Sequence, residues 1–181
     1  MISEPRQDSG LESIGTFQLA GTTSGIALIL SQELSFWGGI DVHTGDIIDR
    51  SHPDLGANVA GKILIMPSGR GSSSSSSVLA EAIRKGTAPA GIIVARPDPI
   101  LAVGAIVADF LYAIRMPLVV CDVPGVASGD KIEIAVGQAG LANVAVVKDG
   151  NLEGHPMMAG RFSRLQSPAR RTIPRQKGAS H

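Results

Sequence analysis

The 181-residue chain is 44% hydrophobic, carries 16 acidic and 16 basic side chains, and contains four Phe, one Trp and one Tyr. This length fits one domain with terminal extensions, and the aliphatic composition is typical of a sheet buried on both faces. The formal net charge of zero argues against nucleic acid as the main partner. No apolar run approaches the ~20 residues needed to span a membrane. A single cysteine, Cys121, and the lack of a recognisable signal peptide predict a cytoplasmic protein.

Composition divides the chain into three parts. Residues 1–24 are predicted to form an N-terminal arm, since they begin with a polar segment that contains proline and glycine. Residues 25–153 are predicted to form the folded domain, which begins with a strand at 25–30. Residues 154–181 are rich in arginine and proline and predict a basic tail that is either disordered or docks on a partner.

A hairpin is predicted next, with its turn at residues 42–45 and with Phe36 and Trp37 packed on the core. The neighbouring Gly38 and Gly39 permit positive φ and a close approach of backbone or ligand, so Trp37 and the two glycines are a possible cleft.

The polar residues of this hairpin are interpreted mainly as turn and surface groups, Asp49 above all. A metal site built from His43, His52 and the nearby aspartates is an alternative, but their spacing matches no established ligand pattern.

The centre of the domain is a run of six serines, Ser72–Ser77, behind a glycine-rich turn. The apolar residues 62–66 predict a buried strand before it, and apolar residues at helical spacing predict a helix after it that stops at Gly86. Ser72 is therefore expected at or near the N-cap, where backbone amides lack partners beside the positive end of the helix dipole. Such a position binds anions and stabilises an oxyanion.

The remaining elements alternate strands with one more helix. Buried strands are predicted at 92–95 and 117–121, a strand with one solvated face at 131–136, and a last strand at 143–147. Asp98 followed by Pro99 predicts the N-cap of a helix over residues 99–112. The apolar face of that helix is expected to comprise Ile100, Val103, Ile106, Val107, Phe110 and Leu111.

Several separate motifs in the chain resemble the small subunit of aconitase X, in the same order, over about residues 25–147. They are LSFWGGID at 34–41, TGDIID at 44–49, HP at 52–53, MPSGRGSS at 66–73 and ARPDPI at 95–100. The resemblance implies an α/β fold, a swivelling β/β/α domain like the mobile domain of aconitases.

The same resemblance implies roles for the serine loop. Aconitases carry a Gly-Ser-Ser-Arg loop whose first serine takes the substrate proton, so Ser72 inherits the role of catalytic proton acceptor. Ser74 stands where aconitases have arginine, which makes Arg70 the candidate for gripping the substrate carboxylate. The substrate-binding residues implied are Ser68, Gly69, Arg70, Gly71 and Ser73.

The resemblance further implies a heterodimer with a large catalytic subunit. That subunit would hold an iron–sulfur cluster through its own cysteines, and its iron would act as a Lewis acid on the leaving hydroxyl of a small hydroxy acid. Cys121 of this chain is expected to be a core thiol, and no metal ligand is assigned to the chain itself.

Two family branches differ in substrate: cis-3-hydroxy-L-proline, dehydrated to Δ1-pyrroline-2-carboxylate, and mevalonate 5-phosphate. The proline substrate is favoured because the archaeal small subunits of the phosphate branch look shorter and because the loop has one arginine and no lysine. An alternative of another class is a non-catalytic anion-binding or assembly module that uses the same helix start.

Overall fold

The computed structural model of the protein describes residues 11–147. The first ten residues of the predicted arm and the predicted tail at 154–181 lie outside this range. Within it the chain forms seven strands, two α-helices and one short 3-10 helix. In chain order they are β1 (Glu12–Leu19), β2 (Thr23–Ile29), β3 (Ile63–Met66), α1 (Ser74–Lys85), β4 (Gly91–Val94), α2 (Pro99–Tyr112), β5 (Leu118–Val120), β6 (Lys131–Val136), the 3-10 helix (Gln138–Gly140) and β7 (Ala142–Val147).

The seven strands close into a barrel in the order β1-β5-β4-β3-β2-β6-β7. β2, β3, β4 and β5 run parallel to one another, whereas β1, β6 and β7 make antiparallel pairs. The connections β3-α1-β4 and β4-α2-β5 pass through helices, since antiparallel neighbours need only a turn but parallel neighbours need a crossover. This arrangement confirms the predicted α/β class.

Alternation along the strands divides the buried side chains between two cores. In β3, Ile63 and Ile65 belong to a cluster inside the barrel, whereas Leu64 and Met66 belong to a cluster that includes Leu79 of α1. Because side chains of a strand alternate between its faces, the parallel strands are buried on both sides. The layers are therefore antiparallel strands, parallel strands and helices, which matches the expected β/β/α order.

The predicted face of α2 is wrong, although its predicted bounds match Pro99–Tyr112. Small residues, including Ala105 and Ala108, are buried, whereas Val103 is 50% and Phe110 87% exposed. At Gly104 a Cβ atom would come within 2.7 Å of the Ser76 carbonyl oxygen of α1. The two helices approach so closely that only small side chains fit between them, which leaves the large apolar residues outside.

The predicted domain boundary at residue 25 is also wrong, because the residues before it include a strand of the barrel. β1 pairs with both β5 and β7 and so closes the barrel. A Cβ atom at Gly15 would lie 2.7 Å from the Val120 carbonyl oxygen. The strand contributes mainly backbone hydrogen bonds. Because it contains several small and polar residues, it does not show the hydrophobic pattern by which strands are predicted.

The hairpin region shows one match and one correction. Ile40 and Ile47 form an antiparallel bridge around the predicted turn, and Phe36 is fully buried as expected. Trp37, however, is 61% exposed and does not pack on the core. Among residues 11–147, no helix has the length and apolar character required to cross a lipid bilayer.

Candidate functional site

The serine loop connects β3 to α1 and is held against the segment that precedes the hairpin. The Arg70 amide donates to the Leu34 carbonyl oxygen at 3.1 Å, beside a bridge between Leu34 and Gly69. Gly71 has a φ of +98°, and a Cβ atom there would lie 2.7 Å from Ser35 Oγ. Both the backbone conformation and the space at this position require glycine, so the loop can present Ser72 only in this close-packed form.

Ser72 is exposed at the start of α1. The Ser74 amide donates to Ser72 Oγ at 3.3 Å, and the Ser75 amide donates to the Ser72 carbonyl oxygen at 3.0 Å. The N-cap is Ser73, so Ser72 lies next to it, within the expected position. The Ser73 hydroxyl accepts no capping hydrogen bond, and the first turn contains no acidic residue. The positive end of this helix therefore has no carboxylate in its first turn and lies beside an accessible hydroxyl.

Ser75, in the first turn of α1, is buried and connects the possible cleft residues to the helix start through hydrogen bonds. Ser75 is 2% exposed, and its Oγ accepts the Trp37 amide at 3.2 Å and lies 3.4 Å from Ser35 Oγ. Gly38 has a φ of +73°, and a Cβ atom at Gly39 would lie 2.1 Å from the Ser35 carbonyl oxygen. The predicted cleft residues are thus brought next to the serine loop, with the indole of Trp37 on the outside.

Asp98 connects the serine loop to the start of α2. Its Oδ1 accepts the Ile100 and Leu101 amides at 3.0 Å each, which confirms the predicted N-cap. Its Oδ2 accepts the Gly69 amide at 2.8 Å, a contact that the sequence did not predict. Asp98 is 6% exposed, so one buried carboxylate fixes both a helix end and the loop.

Ser68, a predicted substrate-binding residue, is buried at the base of the loop. It is 7% exposed, and its hydroxyl donates to the Gly69 carbonyl oxygen at 2.8 Å. In this conformation Ser68 shapes the loop from within.

Asp49 closes a turn, as expected, and it also forms an ion pair with Arg70, which the sequence did not predict. The two Ser51 donors, the hydroxyl at 2.6 Å and the amide at 2.8 Å, both reach Asp49 Oδ1, and Arg70 Nη2 reaches Oδ2. The Ser51 hydroxyl is the main cause that lowers the pKa of Asp49, with the Ser51 amide and Arg70 adding to it. The carboxylate is therefore ionised at neutral pH and faces the loop.

A second arginine lies just after the end of β4. Arg96 pairs with Glu33, and Glu33 borders the same surface cavity as Arg70. This cavity of about 370 Å³ is lined by Ser31, Gln32, Glu33, Pro67 and Arg70. Both arginines of this surface thus carry a carboxylate partner from the chain itself.

The metal-site alternative finds no support in the part of the chain that the structure describes. There, no group of three or more His, Cys, Asp or Glu side chains could hold an ion. His43 is exposed, whereas His52 is buried and accepts the Asp54 amide through Nδ1 at 3.1 Å. Cys121 is 7% exposed within the barrel core, as expected, and burial raises the pKa of its thiol.

Three comparisons relate this chain to known proteins. The family model described as aconitase X swivel domain matches residues 13–142. A cis-3-hydroxy-L-proline dehydratase of Pseudomonas aeruginosa is 48% identical over 100 residues, which are 55% of this chain and 17% of that protein. A phosphomevalonate dehydratase small subunit of Methanopyrus kandleri is 49% identical over 82 residues, which are 45% of this chain and 61% of that protein. The matched region therefore spans less than two thirds of either relative.

A solved structure resembles the described fold. The crystal structure of Thermococcus kodakaraensis aconitase X in its holo-form superposes with a TM-score of 0.68 at 31% identity. The match covers 77% of this chain and all (100%) of that one.

Proposed function

This chain belongs to the aconitase X swivel-domain family, and from that premise we propose that it is the small subunit of a dehydratase in which Ser72 accepts the substrate proton. A large subunit completes the enzyme as its heterodimer partner. The reaction is a hydro-lyase reaction, in which a hydroxy acid loses water across a carbon–carbon bond.

The position of Ser72 carries this proposal. Ser72 is exposed, its Oγ accepts the Ser74 amide at 3.3 Å, and the next residue, Ser73, makes no side-chain capping bond at this helix start. An alkoxide is a strong base that water alone would not sustain, and helix amides aimed at the oxygen favour its charged form. Ser72 then takes the proton from the carbon next to the substrate carboxylate, while Arg70 binds that carboxylate.

The iron–sulfur cluster of the proposed enzyme is assigned to the large subunit. The residues at 11–147 do not fit such a cluster, because their one cysteine is buried in the barrel and its Sγ donates to the Asp122 carbonyl oxygen at 3.3 Å. The steps assigned to this chain therefore involve only its own side chains and backbone amides.

The proposed substrate is cis-3-hydroxy-L-proline, with Δ1-pyrroline-2-carboxylate as the product. Arg70 and Arg96 are both paired with carboxylates, so the surface beside the loop offers little net positive charge to a doubly charged phosphate. A ring that carries its own ammonium beside one carboxylate is better matched to this charge balance. The alternative is mevalonate 5-phosphate, since relatives of both names are similar to this chain.

The test uses the assembled enzyme with Ser72→Ala. Turnover is expected to fall about 10²- to 10⁴-fold, the usual contribution of a positioned base, while the subunits still co-elute in gel filtration. Ser77→Ala is the matched control, because Ser77 belongs to the same serine run, is exposed and lies further along α1. Full turnover by Ser72→Ala would favour the other class of function, a non-catalytic anion-binding or assembly module.

The substrate is decided by assaying the same wild-type enzyme with both compounds. Dehydration of cis-3-hydroxy-L-proline is expected. Turnover of mevalonate 5-phosphate alone would transfer the proposal to the phosphate substrate while leaving the role of Ser72 in place.

A further inference from the structure

Asp49 is held in a fixed orientation by contacts that do not involve Arg70. Its Oδ1 accepts both the hydroxyl and the amide of Ser51, at 2.6 and 2.8 Å, and its carbonyl oxygen accepts the His52 amide at 3.0 Å. The turn that Asp49 begins is therefore closed by backbone and side chain together. Only Oδ2 is left to face outward, and that atom meets Arg70.

The Asp49 turn is also fixed relative to the helix that carries the serines. The Ile48 amide donates to the Gly39 carbonyl oxygen at 2.9 Å, and the Trp37 amide donates to Ser75 Oγ of α1 at 3.2 Å. His52 anchors the far side of the turn, since it is 4% exposed. The carboxylate of Asp49 and the hydroxyl of Ser72 thus sit on one connected framework.

Arg70, by contrast, is a long side chain on an exposed loop and is 42% exposed. A guanidinium has five N–H donors in a fixed plane, and among residues 11–147 only Nη2 of Arg70 has a side-chain partner. Holding one nitrogen on a rigid carboxylate restricts the position of the guanidinium and leaves its other donors for a ligand.

We propose that Asp49 is a positioning residue: it orients the guanidinium of Arg70 so that the remaining donors meet the substrate carboxylate beside Ser72. This inference rests on the proposed function, because it assumes that Arg70 binds substrate. Without Asp49 the arginine must give up its rotamer freedom when substrate binds, which weakens binding more than it slows the proton transfer.

The other exposed arginine pairs of the fold differ from this one. Glu33, Glu81 and Asp109 pair with Arg96, Arg84 and Arg115 respectively. In the described range none of these carboxylates accepts a hydrogen bond from a third residue that would hold it in place. The Arg115–Asp109 pair lies at the C-terminal end of α2, whereas the serine loop contacts the N-terminal end of that helix. Asp109→Asn is therefore a matched control that removes the same kind of ion pair away from the loop.

The experiment is a double-mutant cycle in the assembled enzyme, with Asp49→Asn, Arg70→Ala and the two combined. Asp49→Asn is expected to raise KM roughly twofold to fivefold with a smaller change in kcat, as for loss of a charged pair on a partly exposed arginine. Arg70→Ala is expected to raise KM further, and the double variant to match Arg70→Ala, since Asp49 then has nothing to orient. Asp109→Asn is expected to keep wild-type kinetics.

Two outcomes would overturn the inference: a wild-type KM for Asp49→Asn, or effects of Asp49→Asn and Arg70→Ala that simply multiply. Ser51→Ala keeps the Asp49 charge but loses one of its two fixing donors, so an intermediate KM supports positioning. Ser72→Ala measured alongside separates the two proposals. If Ser72→Ala is inactive but Asp49→Asn has wild-type kinetics, only the positioning role of Asp49 is refuted. If Ser72→Ala is fully active, the proposed function itself is refuted.

Discussion

The two helix starts of this fold follow neighbouring parallel strands but are built in opposite ways. α2 begins with Asp98, whose buried carboxylate accepts two of its first amides, and continues with Pro99. α1 begins with Ser73, which makes no capping bond, and has no acidic residue in its first turn. A capped start is electrostatically satisfied, whereas an uncapped start keeps its positive potential available for a charged oxygen.

This difference suggests a division of roles: the start of α2 stabilises the fold, the start of α1 carries the proposed chemistry, and Asp98 connects the two. Asp98 also accepts the Gly69 amide, so the satisfied start of α2 supports the loop that leads to the unsatisfied start of α1. Substitutions at the start of α2 should therefore lower stability first, whereas substitutions at the start of α1 should lower turnover first.

Of the changes at the two helix starts, Asp98→Ala is expected to have the largest effect on stability. This change removes the N-cap, worth about 0.5–2 kcal/mol, and leaves the Gly69 amide without its partner, at about 1–3 kcal/mol. The free energy of unfolding should fall by about 2–4 kcal/mol in urea titrations. Ser73→Ala at the other helix should cost less than about 0.5 kcal/mol, since no capping bond is lost; equal losses would erase the comparison.

Capping α1 should make it resemble α2 and impair the enzyme. In Ser73→Asp the new carboxylate would compete for the helix amides and place a negative charge beside Ser72, so turnover is expected to fall roughly a hundredfold, as when an oxyanion donor is lost. The helix should gain about 0.5–1 kcal/mol in the same variant. Ser73→Asn separates the cap from the charge and should retain more activity; a fully active Ser73→Asp contradicts the proposed role of this helix start.

The Asp49 carboxylate, which pairs with Arg70 of the serine loop, should show its own acid titration. The pKa of Asp49 is lowered in the folded chain, mainly by the Ser51 hydroxyl, so its contribution to stability is present at neutral pH and is lost as the pH falls below about 4. Ser51→Ala should bring the pKa back toward its ordinary value, so the folded-state carboxyl should take up its proton at a higher pH. NMR titration of the Asp49 carboxyl carbon measures the shift directly, and an unchanged pKa would assign the effect to Arg70.

The smallest effect is expected on the outer face of α2. Phe110 is 87% exposed, so Phe110→Ser should change the unfolding free energy of this chain by less than about 0.5 kcal/mol. Leu101 lies on the buried side of the same helix at 1% exposure, and Leu101→Ala should cost about 2–5 kcal/mol. Similar losses in thermal melts of both variants would mean that the two faces are assigned the wrong way round.

Much of the local structure could be predicted from the sequence. The Asp98–Pro99 signal placed the start of α2 correctly, and the apolar run before the serines is β3. The alternating residues at 131–136 form β6, with Ile132 and Ile134 buried. These features depend on neighbours within a few residues, which is what hydrophobic periodicity and capping signals report.

Other features depend on contacts between distant segments. β1 lacks a clear pattern because its strength comes from backbone pairing with β5 and β7. The face of α2 could not be chosen from its apolar residues alone, since Gly104 decides how closely α1 approaches. Trp37 is exposed for a similar reason: its backbone, rather than its indole, is what the fold uses.

The sequence by itself determined the strand–serine loop–helix unit and the capped start of α2, because hydrophobic spacing and side-chain capping act over one or two turns. Only the tertiary structure decided that Asp98 supports Gly69, 29 residues away, and that Asp49 meets Arg70, 21 residues away. Such pairings are set by how strands close and helices cross. Asp49 therefore looks like a surface residue when only the sequence is considered, although in the fold its carboxylate contacts the candidate site.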